Sequence, residues 1–385
     1  MKILIVLTYY RPHISGLTIY AERLAKAFAA RGHEVTVLTS QFKKELPLEE
    51  TQDRVRIVRV PVWFRLSKGV IMPSFGMIAN RLVSQTDVIQ LHLPQFDAAG
   101  ISFRGRLLKK PTVITYHCDL QLPPGLFNRF ANLGVHLMNQ LTALFTHRIV
   151  TYTQDYAENS AYLRRHLDKL KVIPPPVVLP EATAQEIKRF AADNNPGDQH
   201  PVIGMAARFA TEKGVEILLR ALPEVLKEYP HALVQFVGTY QNVLGEQDYF
   251  ERLRPEIEKY QASGNWKFLG ELDPARMAMF FPNLDVLTLP SLNSTEAFGL
   301  VQIEAMMNGV PCVTSSLPGV RQPVAIHQMG AIFPIGDAAD LARQLIKVLR
   351  TEKSKIKPAI DFSRYQPGSI AQAYEALFDE IQATL

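Results

Sequence analysis

MKILIVLTYYRPHISGLTIYAERLAKAFAARGHEVTVLTS, residues 1–40, reads as strand, helix, strand. The outer runs, Ile3–Leu7 and Glu34–Ser40, are short and rich in β-branched residues. Between them Leu17, Tyr20, Ala21, Leu24, Ala27 and Phe28 recur at the spacing of one helix face, and Gly32 stands just past the end as a stop. Two apolar strands joined through a helix form a βαβ unit. Such a unit belongs in a parallel, doubly wound sheet covered on both faces.

Working outward, Val55–Pro61, Asp87–His92, Thr112–His117 and Arg148–Thr153 continue the strand series, and Lys171–Ile173 is strand-like. Pro174, Pro175 and Pro176 follow. Proline cannot join a ladder and biases its predecessor to extended structure, so this cluster reads as a stiff linker. After the turn-rich DNNPGDQH, residues 193–200, a second series begins. Its strands are Val202–Arg208, Ala232–Gly238, Trp266–Gly270, Leu284–Pro290, Pro311–Ser315 and Ala331–Pro334, with helical patterns over Val215–Tyr229 and Phe298–Asn308. An amphipathic stretch, Ile370–Ile381, follows near the end. The fold class is α/β, with two similar Rossmann-like halves and a cleft between them, a common place for ligands.

Length agrees, since 385 residues at about 150 per domain suggest two or three domains. Hydrophobic residues make up 47% and charged residues 21%, which excludes a disordered chain. The two cysteines, Cys118 and Cys312, are far apart and lack metal-ligand spacing. Both lie in apolar strand-like runs and read as buried thiols in a reducing, cytoplasmic setting. The run Ile3–Leu7 is too short for a leader, and no stretch approaches the ~18 apolar residues of a membrane span. A soluble protein, at most peripheral to a membrane, is expected.

Ligands of open α/β sheets bind outside the carboxyl ends of the strands. After the first strand, Ser15-Gly16 opens a helix. A glycine there lets a phosphate approach free N–H groups, and Ser15 as a simple N-cap fits equally well. After the fifth strand stands His117, suited to a sugar hydroxyl or a phosphate, and suited also to a satisfied core position. After the first strand of the second half come Arg208, Lys213 and Gly214, then a helix. A planar fork, a point charge and a helix start together suit a pyrophosphate. Residues 289–309 carry Glu296 in a loop and Glu304 in a helix otherwise lined by Ile303, Ala305, Met306 and Met307. A carboxylate in such a setting must accept hydrogen bonds, and two vicinal ribose hydroxyls would supply them. Phe298-Gly299 lets the backbone approach a ligand closely.

TEAFGLVQIEAMMNGVPCVTSSLPGV, residues 295–320, resembles the Glu-x7-Glu motif of the family 4 retaining glycosyltransferases, with Glu296 and Glu304 at the motif spacing. AARFATEKG, residues 206–214, resembles that family's Arg/Lys pyrophosphate motif, and residues 9–40 resemble its phosphate loop and first helix. The resemblance runs in order over nearly the whole chain. It implies the GT-B fold, two Rossmann-like doubly wound parallel-sheet domains facing a central cleft. Residues 1–175, completed by the C-terminal helix 362–385, would form the acceptor domain and 176–361 the donor domain. It implies that Arg208 and Lys213 neutralise the donor diphosphate, Glu304 holds the ribose and Glu296 contacts the transferred sugar. His117 would lie near the reacting centre, and Gly16 would give an N–H to the diphosphate. Asn293, Ala297, Phe298, Gly299 and Leu300 would form the loop around sugar and phosphate. The implied donor is a nucleotide sugar, UDP-linked ahead of GDP-linked, acting as substrate with no cofactor and no metal. Two departures stand out: Ser15-Gly16 where many relatives have two glycines, and Arg321-Gln322 where many have Arg-Glu.

The net charge of +5 is unevenly placed. Residues 54–154 hold twelve Lys or Arg against Asp87, Asp97 and Asp119, which gives +9 there and −4 elsewhere. The cations are Arg54, Arg56, Arg59, Arg65, Lys68, Arg81, Arg104, Arg106, Lys109, Lys110, Arg129 and Arg148. Trp63, Phe64, Phe75, Phe96, Phe103, Phe127, Phe130 and Phe145 share the stretch. Cations with aromatics suit an anionic membrane face, which points to a lipid or lipid-linked hydroxyl acceptor at the inner leaflet. A basic solvated surface over core aromatics is the alternative. Four other classes compete, the first a non-catalytic protein that binds a nucleotide sugar or an anionic surface. A nucleotide-sugar 2-epimerase would share the shape. A nucleic-acid module lacks a recognised motif and has no use for Glu304. An NAD oxidoreductase lacks the G-x-G-x-x-G fingerprint.

Overall fold

The computed structural model describes residues 1–66, 69–120, 126–352 and 355–385, with the side chains at 66 and 126–131 outside it. Lys68 and the side chains of Phe127, Arg129 and Phe130 therefore lie outside the described residues. The chain divides into two compact units, Met1–Val177 with Ser363–Leu385, and Val178–Phe362.

The first unit runs β1 (Lys2–Val6), α1 (Gly16–Ala30), β2 (Glu34–Gln41), β3 (Glu49–Gln52), β4 (Val55–Pro61), β5 (Phe64–Leu66) and β6 (Gly69–Ile71). It continues α2 (Phe75–Gln85), β7 (Val88–Leu93), α3 (Ala98–Leu107), β8 (Thr112–Tyr116), α4 (Leu126–Phe145), β9 (Arg148–Thr151), α5 (Gln154–Asn159) and β10 (Leu170–Val172). Its main sheet has the order β10-β9-β8-β7-β1-β2-β4-β3. All its neighbours pair in parallel except β3, which lies antiparallel on β4 at the edge. β7 and β8 are buried at every position, as strands covered on both faces must be.

The second unit runs α6 (Ala184–Asn194), β11 (Val202–Ala206), α7 (Val215–Glu228), β12 (Leu233–Val237), α8 (Gln247–Ala262), β13 (Trp266–Gly270) and α9 (Pro274–Phe280). It then runs β14 (Val286–Leu289), α10 (Leu300–Met307), β15 (Cys312–Ser315), α11 (Gln322–His327), β16 (Gly330–Phe333) and α12 (Ala338–Leu349). Its sheet is wholly parallel, ordered β13-β12-β11-β14-β15-β16. Counted within the unit this is 3-2-1-4-5-6, the dinucleotide-fold order. Val215, Leu218, Leu219, Leu222 and Val225 on α7 join Leu341 and Leu345 on α12 in its core.

The last helix, α13 (Pro367–Gln382), belongs to the first unit and packs on α1. Ile370, Tyr374, Leu377, Phe378 and Ile381 form its buried face.

Three expectations need correcting. Cys118 lies beyond the end of β8 and is half-buried, whereas Cys312 is fully buried within β15. The helix expected from Phe298 starts at Leu300, because Gly299 turns with φ +78° and leaves Phe298 in the loop. Arg59 belongs to no basic surface: its guanidinium is buried, pairing with Glu50 and donating to the Pro47 carbonyl at 3.0 Å.

Candidate active site

In the second unit the chain leaves β11 for β12 on one side and later returns to β14 on the other. The loops that follow these two neighbouring strands therefore leave the carboxyl edge side by side before the chain parts to opposite sides, the place where such sheets hold ligands. Arg208 and Lys213 lie on the first loop, and Asn293 to Gly299 on the second.

The first loop is braced on three sides. Thr211 donates its N–H and hydroxyl to Glu246 Oε2 at 2.9 and 2.8 Å. The Leu292 N–H donates to the Glu212 carbonyl at 2.9 Å, joining the two loops. Gly214 turns the chain into α7 with φ +70°, and a Cβ there would sit 2.0 Å from the Pro290 carbonyl oxygen. Only glycine permits that approach. Arg208, about half exposed, donates Nη2 to Glu212 Oε1 at 2.8 Å. Lys213 Nζ donates to Glu296 Oε2 at 2.7 Å across the two loops.

The second loop is shaped by its own polar groups. Asn293 Oδ1 accepts from the Thr295 N–H at 3.1 Å and from its hydroxyl at 2.6 Å. Glu296 Oε1 accepts from the Gly299 N–H at 3.0 Å, just ahead of α10. A Cβ on Gly299 would lie 2.4 Å from Leu289 Cδ2 and 2.7 Å from Gln302 Nε2. Ala297 and Phe298 are buried, and Leu300 is half-buried at the helix start. Glu304 is buried on α10, with 7% of its surface exposed.

In the first unit, Ser15 caps α1 through a capping box with Thr18. The cap engages Thr18 and not the N–H of Gly16, where a side chain would meet nothing within 4 Å. His117 follows β8 and is buried. Both its ring nitrogens have partners, Nε2 with His92 Nδ1 at 2.8 Å and Nδ1 with the Tyr152 hydroxyl. The two imidazoles stack with centroids 5.0 Å apart, and Tyr20 packs edge-on against His117. Burial pushes His92 down to about 3, and burial together with His92 holds His117 well below the ordinary histidine range. Both rings are therefore neutral at pH 7.

The structure thus brings Arg208, Lys213, Asn293, Glu296, Gly299 and Leu300 onto two joined loops and an adjoining helix start. Gly16 and His117 lie in the other unit. Sequence reasoning passed over His92, Tyr152, Glu212 and Gln302. Gln302 Nε2 donates to the carbonyls of Phe298 and Val320, both at 2.9 Å, and so holds the second loop to the start of the Arg321-Gln322 turn. A glutamine inside an apolar helix was the available signal. Among the described residues, no group of three or more His, Cys, Asp or Glu could hold a metal ion.

The surface of residues 54–154 is mixed. Trp63, Phe64, Phe96 and Phe103 are exposed, Phe145 is half-buried and Phe75 is in the core. Arg54, Arg65, Arg81, Arg106 and Lys109 are exposed beside them in sequence. Among the described residues no helix is long and apolar enough to cross a membrane.

Two family profiles match the chain: Glycosyl transferases group 1 over residues 186–361 and Glycosyltransferase Family 4 over residues 14–179. An uncharacterized glycosyltransferase of Methanocaldococcus jannaschii is 26% identical, over 86% of this chain and 85% of its own. The phosphatidyl-myo-inositol mannosyltransferase of Mycolicibacterium smegmatis is 23% identical, over 92% of this chain and 86% of its own. Among solved structures, HepE of Anabaena in complex with UDP superposes with a TM-score of 0.71 at 21% identity, covering 100% of this chain and 98% of its own. At that identity the likeness is one of fold.

Proposed function

The chain belongs to the glycosyltransferases of group 1 and family 4, with the GT-B fold, and on that premise we propose that it moves a sugar from a nucleoside diphosphate to a hydroxyl acceptor with retention at the anomeric carbon. The observation that carries this reading is the meeting of Lys213 with Glu296 across two loops at the carboxyl edge of the second sheet. A cation, a carboxylate and the start of α10 stand together where a diphosphate and its sugar would lie.

In the reaction the bond from the anomeric carbon to a diphosphate oxygen breaks, and its electron pair leaves with the diphosphate. The acceptor oxygen bonds to that carbon, and its proton passes to the departing diphosphate oxygen. Charge develops on the leaving group, so preorganised cations and N–H dipoles supply the main stabilisation. Arg208 and Lys213 serve that purpose, with no metal and no cofactor required. Glu304 accepts from the ribose hydroxyls and Glu296 from the sugar. Asn293, Ala297, Phe298, Gly299 and Leu300 enclose them. The resemblance gives Gly16 a role toward the diphosphate and His117 one toward the sugar; both lie in the first unit, His117 with both ring nitrogens engaged. UDP is favoured as carrier, in keeping with the UDP named for HepE.

For the acceptor, a lipid or lipid-linked glycan at an anionic inner leaflet is favoured. The mycobacterial relative acts, by its name, on phosphatidyl-myo-inositol. Exposed Trp63, Phe64, Phe96 and Phe103 among the cations of 54–154 suit such a face.

Thermal unfolding with UDP, GDP, ADP and their sugars tests the donor site. A nucleotide at 100 times its dissociation constant stabilises by about 2.7 kcal/mol. One carrier is expected to raise Tm in the wild type and not in Glu304→Ala. No response to any of them in the wild type would refute the donor site.

A further inference from the structure

We propose that Glu212 is a positioning residue for the donor diphosphate, acting through Arg208; this rests on the donor reading above. Arg208 is long, about half exposed and entropically free to wander from a ligand. Glu212 is not free. Its turn is tied to Glu246 through Thr211, to the second loop through the Leu292 N–H, and to Pro290 through the close approach at Gly214. Its side chain is only 17% exposed.

The carboxylate is thus a fixed post, and Arg208 leans on it through one nitrogen, Nη2, at 2.8 Å. A guanidinium has five N–H donors in a planar fork. One contact leaves the others to grip a phosphate, with the plane of the fork already set. Lys213 stands differently: its ammonium is taken by Glu296 at 2.7 Å and must exchange that carboxylate for phosphate. Arg208 is therefore the cation preset for the diphosphate, and Glu212 does the setting.

The two contacts of Glu212 are separable. Its link to Leu292 is main chain, so Glu212→Ala keeps the loops joined and removes only the hold on Arg208. Glu212→Gln keeps an acceptor oxygen and removes the charge. The experiment is titration calorimetry of UDP against UMP, with GDP/GMP and ADP/AMP as parallel pairs, on wild type, Glu212→Ala, Glu212→Gln and Arg208→Ala. Tm of each variant serves as the fold control.

Glu212→Ala is expected to weaken the diphosphate about fivefold, the upper range for one partly exposed ion contact, with the monophosphate unchanged and Tm unchanged. Glu212→Gln should bind within about twofold of wild type, since the acceptor survives. Equal or tighter diphosphate binding by Glu212→Ala, with Arg208→Ala weakened, overturns the proposal and makes Glu212 a mere competitor for the cation. Equal weakening in both Glu212 variants also overturns it, because charge alone would then matter. If Arg208→Ala binds every diphosphate like wild type, the donor reading itself fails.

Discussion

His92 and His117 form a stacked, hydrogen-bonded pair beneath α1, and burial keeps both rings neutral. Below about pH 6.5 the unfolded chain takes up protons that these folded imidazoles refuse. Stability is therefore fully present above that pH and is lost as pH falls below it. With a folded value of about 3, His92 alone accounts for roughly 2 kcal/mol of that loss by pH 5. The fall in Tm between pH 7 and pH 5 should be smaller in His92→Gln than in the wild type; an identical fall in both would count against the neutral pair. His117 was legible as a residue at a strand end. That both its nitrogens are spoken for was not, because His92 and Tyr152 come from other strands and loops of the sheet.

Elements show the same division. α13 is anchored to the first unit by more than an apolar face. The Tyr374 hydroxyl meets Tyr20 at 2.8 Å and Thr115 at 2.7 Å, all three buried. Glu375 grips Arg31 and His33, and Glu380 meets Arg148 and Lys171, at partly exposed positions that contribute little each. Tyr374→Phe takes the Tyr374 hydroxyl from buried Tyr20 and leaves Thr115 with Gln90, and should cost about 1–3 kcal/mol, read as a lower midpoint in urea at unchanged slope. A midpoint equal to wild type would mean that the three hydroxyls do not act together. The amphipathic pattern of 370–381 announced the helix. Its seat on α1 rests on hydroxyls hundreds of positions apart. β3 carries no strand signal in its sequence, because Glu49–Gln52 has no apolar alternation, and only its pairing with β4 makes it a strand.

At the scale of the whole molecule, the proposed membrane association turns on charge. The cations of 54–154 face a −4 balance over the rest, while burial of Arg59 against Glu50 removes one of them from any surface. Each remaining cation near an anionic bilayer contributes about 1 kcal/mol and is screened by salt. Pelleting with phosphatidylserine-containing vesicles but not with phosphatidylcholine alone is expected, fading as salt rises toward 0.5 M, a concentration at which the screening length is roughly 4 Å. Absence of pelleting at low salt would remove the membrane from the acceptor proposal.

The sequence by itself determined the doubly wound class, the strand ends to within about two residues, and a resemblance to a glycosyltransferase family through the motifs around Arg208, Lys213, Glu296 and Glu304. Those features are local: a strand shows its apolar run, a helix its period, a motif its spacing. Only the tertiary structure decided that Lys213 holds Glu296, that Glu212 holds Arg208 on a braced turn, and that His117 is locked between His92 and Tyr152. Such pairings depend on strand order, because the order 3-2-1-4-5-6 is what sets the loop after β11 beside the loop after β14.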